Sequence, residues 1–145
     1  MKRFIFTMAL IFASVASVSA DERPIDFGQM PKIAINFVKN NFADVAVLYA
    51  NVERDVLETD YEVGLADGTR IDFDAKGEWK EVSNKKVGVP SSILPAKITE
   101  YIKANYPDAY YYIKVERSSR KYEVKLTNGL EMLFTPDGRL IGFDD

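Results

Sequence analysis

The 145-residue chain contains no cysteine and no histidine. The missing cysteines exclude disulfides, thiolate nucleophiles and thiolate metal sites. The missing histidines exclude the commonest general base, Ser-His-Asp arrangements and the commonest zinc ligand. The eight glycines are single, so no phosphate-cradling loop is present. Ser91-Ser92 and Ser118-Ser119 lack an adjacent base and read as loop residues. Asp72, Asp74, Gly77 and Glu78 echo the start of a calcium loop, but Lys76 stands where a ligand is needed and Ser83 where the twelfth-position Glu belongs. These positions read as a solvated hairpin. No catalytic residue, metal or cofactor is predicted, and the chain reads as a non-enzyme.

Long apolar runs are also lacking beyond residue 20. Before that point Lys2-Arg3 precede an apolar stretch from Phe4 to Val18, and Val18-Ser19-Ala20 supply small residues for cleavage. This is the pattern of an export signal over residues 1–20, too short and Ser/Ala-rich for a stable span. The expected mature chain begins near Asp21, with no stable membrane insertion after cleavage. Removing Lys2 and Arg3 takes the formal charge from −3 to −5. A net acidic chain without clustered Lys/Arg is not expected to bind nucleic acid.

What is present is a repeat. Tyr61-Glu62-Val63 recurs as Tyr122-Glu123-Val124, Asp67-Gly68 as Asn128-Gly129, Phe73 as Phe134 and Gly77 as Gly138. Upstream, Val52-Glu53-Arg54 recurs as Val115-Glu116-Arg117, and Asn41-Phe42 as Asn105-Tyr106. Met30, Ala34, Phe37 and Val38 share one helical face, as do Leu94, Ile98, Tyr101, Ile102 and Tyr106. Asn41 and Asn105 fall where left-handed caps are expected. Strands follow at 45–53 and 110–117, then alternating segments at Tyr61–Leu65 and Tyr122–Leu126. Asp67-Gly68 and Asn128-Gly129 predict two-residue hairpin turns. Third strands carry Ile71 and Phe73, or Met132 and Phe134, and fourth strands cover 78–82 and 139–143.

The predicted fold is α+β. It is a tandem repeat of one helix plus a four-stranded antiparallel meander, forming an eight-stranded antiparallel sheet with both helices on one face. Residues 21–83 form the first unit, 84–93 the linker and 94–145 the second unit.

Leu94-Pro95, Ile98, Tyr101-Ile102, Asn105-Tyr106-Pro107 and Ala109, with Tyr122-Glu123-Val124, Leu126, Asn128-Gly129 and Asp137-Gly138, resemble the PepSY-like family of exported bacterial proteins. The resemblance spans the mature chain. It implies a periplasmic location and a fold similar to the beta-lactamase inhibitory protein, which grips its target with a concave sheet. That inhibitor carries disulfides and this chain has none, so its activity does not transfer with the fold.

Strand alternation supplies the candidate site. With Leu48, Ala50 and Val52 facing the helices, Val47, Tyr49 and Asn51 face away. In the second unit Tyr110, Tyr112 and Lys114 are predicted to face away, with Tyr111, Ile113 and Val115 inward. Tyrosine offers contact area and a hydroxyl at low entropy cost, so this outer face reads as a recognition surface. Tyr49, Tyr110 and Tyr112 are the expected contacts, flanked by the tips at Asp67 and Asn128. Trp79 is expected in the core. The function expected is a periplasmic binding protein for a protein or peptide, restraining an exported hydrolase. The alternative is a small-molecule or lipid carrier with a pocket between helices and sheet.

Overall fold

The computed structural model describes residues 21–108 and 112–144. The predicted export signal over residues 1–20 and Tyr110 lie outside the described residues. Among these residues nine strands follow one another across a single antiparallel sheet in chain order. They are β1 (Asp21–Ile25), β2 (Val47–Arg54), β3 (Thr59–Leu65), β4 (Arg70–Phe73), β5 (Trp79–Ser83), β6 (Tyr112–Arg117), β7 (Tyr122–Leu126), β8 (Glu131–Phe134) and β9 (Leu140–Asp144). Helix α1 (Lys32–Asn41) lies between β1 and β2, and α2 (Ala96–Asn105) between β5 and β6.

The expected sheet had eight strands; the ninth is β1. Its sequence, Asp-Glu-Arg-Pro-Ile, has neither alternation nor β-branched content before its last residue, and four of its five residues are exposed. An edge strand can be so polar because only backbone pairing holds it, here from Asp21↔Arg54 to Ile25↔Ala50.

Each helix lays one stripe on the sheet. Ala34 and Val38 of α1, and Ile98 and Ile102 of α2, are buried in one continuous core with the inward strand residues. Aromatic rings fill the interior. Phe37 meets Phe73 edge-on at 6.0 Å and stacks on Trp79 at 5.7 Å, while Tyr101 meets Phe134 at 5.9 Å. Trp79 is a core residue, as expected. The helix ends differ from expectation. Phe42 and Tyr106 at the C-caps have negative φ, and Asn41 and Asn105 donate side-chain N–H groups to the Phe37 and Tyr101 carbonyls, both at 2.9 Å. The asparagines satisfy last-turn carbonyls without leaving right-handed conformation.

The tight turns also differ in form. Leu65 N–H donates to the Thr69 carbonyl and Leu126 N–H to the Leu130 carbonyl, each at 2.9 Å. The loops therefore hold three residues, ending in left-handed Gly68 and Gly129. Asp67 and Asn128 accept the backbone N–H two residues on, at 2.9 and 3.0 Å, so both side chains serve their own turns.

Gly77 and Gly129 separate two reasons for glycine. Both have positive φ, but a Cβ on Gly77 would lie 2.7 Å from Pro31 Cβ and 3.1 Å from the Ala34 nitrogen, whereas one on Gly129 meets nothing within 4 Å. Gly129→Ala is expected to cost about 1 kcal/mol in urea unfolding and Gly77→Ala at least about 2 kcal/mol. Equal losses would show that α1 does not bear on the β4–β5 turn.

Candidate functional site

Two cross-strand rows one residue apart define the two faces of the sheet. Val63, Ile71, Val82, Val115, Val124 and Met132 oppose one another strand by strand, and every one is fully buried beneath the helices. The next residue along lies on the other face, because strand side chains alternate. There the opposed residues are Glu62, Asp72, Glu81, Glu116 and Glu123. Five carboxylates thus stand in line across β3 to β7, about 5 Å apart by the strand spacing. Like charges directly opposite each other repel, so this row costs stability.

Flanking cations offset part of that cost. Arg70 Nε reaches Glu62 at 2.8 Å, Lys80 reaches Asp60 at 3.0 Å, Lys121 reaches Glu123 at 3.3 Å and Lys114 reaches Glu116 at 3.9 Å. Asp72 has no ion pair within 4 Å among the described residues. Burial first, then the Glu62 charge, push its carboxyl up to about 6, against the pull of Arg70 and Lys80. Glu53, one row over, is also raised, by burial and then by Glu22, Asp60 and Asp55.

A trough of about 850 Å³ opens on this face. Its walls carry eight carboxylates (Glu53, Asp55, Glu58, Asp60, Asp72, Glu81, Glu116 and Glu123) against three cationic side chains, Lys80, Arg117 and Lys121. Arg117 is fixed by its own contacts: it lies over the Trp79 ring at 4.3 Å, donates to the Trp79 carbonyl at 2.8 Å and pairs with Glu78 at 3.0 Å. The trough lies at the end of the sheet bearing the 55–58 and 118–121 loops. Val56 and Leu57 project from the first of these and are almost fully exposed. Such a surface can take up cationic groups and hold protons.

The predicted contacts are distributed differently from the expectation. Tyr49 does lie on the bare face, at 39% exposure. Its ring covers Gly64 on β3, where an added Cβ would fall 2.0 Å from the ring, and its hydroxyl donates to Glu62 at 2.8 Å. Tyr49 therefore patches a strand glycine as well as facing solvent. Tyr112 is a correction: it is 8% exposed and belongs to the core. A register shift between Tyr112 and Lys114 places an extra residue in β6, which turns Tyr112 to the helix side along with Val115. A matching shift between Val47 and Tyr49 leaves Leu48 exposed rather than inward. Asp67 and Asn128 belong to turns that do not line the trough. The Asp67 carbonyl and the Thr69 hydroxyl both accept from buried Asn84, tying the segment after β5 to the β3–β4 turn.

The acidic row itself escaped the sequence reading. A trace exists in the acid-valine neighbours Glu62-Val63, Glu81-Val82, Val115-Glu116 and Glu123-Val124. Their alignment requires the strand register, and Asp72 reads in the sequence as the outer face of a solvated hairpin.

Asp72 makes the sign of a pH effect definite. Its folded-state value near 6 lies above the ordinary 3.8, so its contribution is present below pH 3.8 and is lost as pH rises through about 6. Asp72→Asn is expected to be more stable than the wild type at pH 7.5, by of order 2 kcal/mol, with the gap closing towards pH 4. Urea unfolding at both pH values checks this; a gap unchanged by pH would contradict it.

The comparisons agree with this architecture. The chain is similar to a solved "putative calcium-regulated periplasmic protein" from Bacteroides thetaiotaomicron, at 43% identity and TM-score 0.81 over 86% of this chain and 97% of that one. It is similar to a "putative periplasmic protein" of the DUF2874 family from Bacteroides vulgatus, at 39% identity and TM-score 0.79 over 86% and 98%. A third, from the same species and described as of unknown function, shares 35% identity and TM-score 0.77 over 88% and 100%. No curated protein sequence matches. The family described as "Putative beta-lactamase-inhibitor-like, PepSY-like" matches twice, at residues 16–67 and 59–142, and the chain belongs to that PepSY-like family.

Proposed function

We propose that this chain is a non-enzymatic periplasmic binding protein that takes a protein or peptide partner on the bare face of its sheet. The carrying observation is the line of five opposed carboxylates from Glu62 to Glu123. A protein that needed only a stable sheet would gain by breaking this line with neutral residues. Retaining it fits a partner that brings lysine or arginine to the row, with the exposed Val56-Leu57 tip beside it for apolar contact. The leader over residues 1–20 and the periplasmic descriptions of three similar structures support the location. An exported hydrolase with a basic rim is the partner this reading favours, in keeping with the inhibitor-like description of the family. The same reading treats the two helix-plus-four-strand units as copies of one ancestor, supported by their common element order, their matched three-residue turns and the double family match. The ring layer between helices and sheet speaks against the carrier alternative, which needs open volume there.

The test is capture from the native periplasm with two baits, the wild type and Glu53→Lys/Glu81→Lys. The wild type is expected to retain a partner that elutes with salt, and the variant to lose it. Equal capture by both baits would sink the reading.

One observation favours calcium as a modulator of this binding. Carboxylate oxygens of Glu123, Glu131 and Asp144 lie within 4.8 Å of one another, on a chain 43% identical to a protein described as calcium-regulated. Hard carboxylate oxygens are the ligands calcium takes. Calcium is expected to raise the melting temperature of the wild type and not that of Glu131→Gln; an identical response in both would remove this group from consideration.

A further inference from the structure

The two edges of the sheet are built differently. β1 ends one side with Asp21, Glu22, Arg23 and Pro24, charges and a proline that discourage strand addition. β9 ends the other side as Leu-Ile-Gly-Phe-Asp, with no proline and no cation. Its outer backbone has no strand partner among the described residues. Ile141 is 55% and Phe143 48% exposed there.

Gly142 adds an independent sign. A Cβ built on it meets nothing within 4 Å, and its φ lies outside the left-handed region. Strand glycines mark bulges or places where another backbone approaches closely, and Gly142 both borders the β8–β9 bulge and leaves the space beside it open.

We propose that β9 is a homodimerisation edge, pairing antiparallel with β9 of a second copy about a twofold axis between Ile141 and Gly142. That register sets Leu140 opposite Phe143 and Arg139 opposite Asp144 of the second copy. The faces agree. Leu140 pairs with Phe134 and Phe143 with Met132, both core-facing, so Leu140 and Phe143 share the helix side. Arg139 and Asp144, one residue outward, share the bare side by alternation. The two Arg–Asp pairs are complementary in charge, and Arg139 and Asp144 are both exposed. The bulge between Leu133 and Phe134 leaves Ile141 as the extra residue of β9. Its opposite number is Gly142 of the second copy, which has no side chain to crowd it. Because the bulge falls at the axis, both strands bend alike. The product is one sheet of eighteen strands, and the surface is self-complementary as a twofold interface must be.

Sedimentation equilibrium of the exported chain tests this. The wild type is expected to show a concentration-dependent dimer. Arg139→Asp and Asp144→Arg, each alone, are expected to weaken it roughly tenfold, and the double exchange to restore it. Gly142→Leu, whose Cβ meets nothing within 4 Å in its own subunit, is expected to remain folded and be monomeric. A wild type that stays monomeric at its solubility limit overturns the proposal. So does a dimer that survives Gly142→Leu or ignores the charge exchange.

Discussion

The pairing of β5 with β6 is the interaction on which the rest depends. Among the described residues three register pairs span it: Glu81↔Glu116, Val82↔Val115 and Ser83↔Lys114. Val82 and Val115 weld the two halves of the core, each fully buried. Glu81 and Glu116 bring like charges face to face on the other side. Trp79 reinforces the seam from the helix side, stacked on Phe37 of α1, near Tyr122 of β7, with Arg117 across its ring. Apolar burial at this seam is worth a few kcal/mol per valine pair, and that gain offsets the repulsion between the glutamates on the reverse. If the seam opens, the trough ceases to exist, because its walls come from β2 to β5 on one side and from β6 and β7 on the other.

The two rows express one division of labour. Backbone register forces each buried valine to carry its neighbour onto the opposite face in line with the neighbours from adjacent strands. The core row selects for valine, isoleucine and methionine. The bare row is free of packing demands, yet it holds one sign of charge over five successive strands. Raising the Asp72 carboxyl to about 6 is the visible cost. Among the described residues helices occupy one face only, which leaves the row accessible while the core is closed.

Much of the fold was legible in the sequence because its signals are local. The stripe Ile98–Ile102, the alternation Tyr122–Glu123–Val124 and the Gly68 and Gly129 turns each announce their element within a few residues. β1 was illegible because an edge strand needs no pattern of its own. Tyr112 and Leu48 were assigned to the wrong face for a common reason: a one-residue bulge reverses alternation, and no composition signal marks it. The site was less legible still. Glu62, Asp72, Glu81, Glu116 and Glu123 each look like an ordinary solvated strand residue, and only the cross-strand register turns them into a line. The tyrosines drew attention as single residues, but Tyr49 serves Gly64 and Tyr112 the core.

The central claim is that the nine described strands form one continuous sheet and hence one bare face. Amide hydrogen exchange on the native protein tests it most directly. The account predicts that the amides bridging β5 and β6 at residues 81–83 and 114–116 exchange as slowly as those of Val63 and Val124, through one global opening. Fast exchange at the seam, with slow exchange retained in β3–β4 and β7–β8, would contradict it.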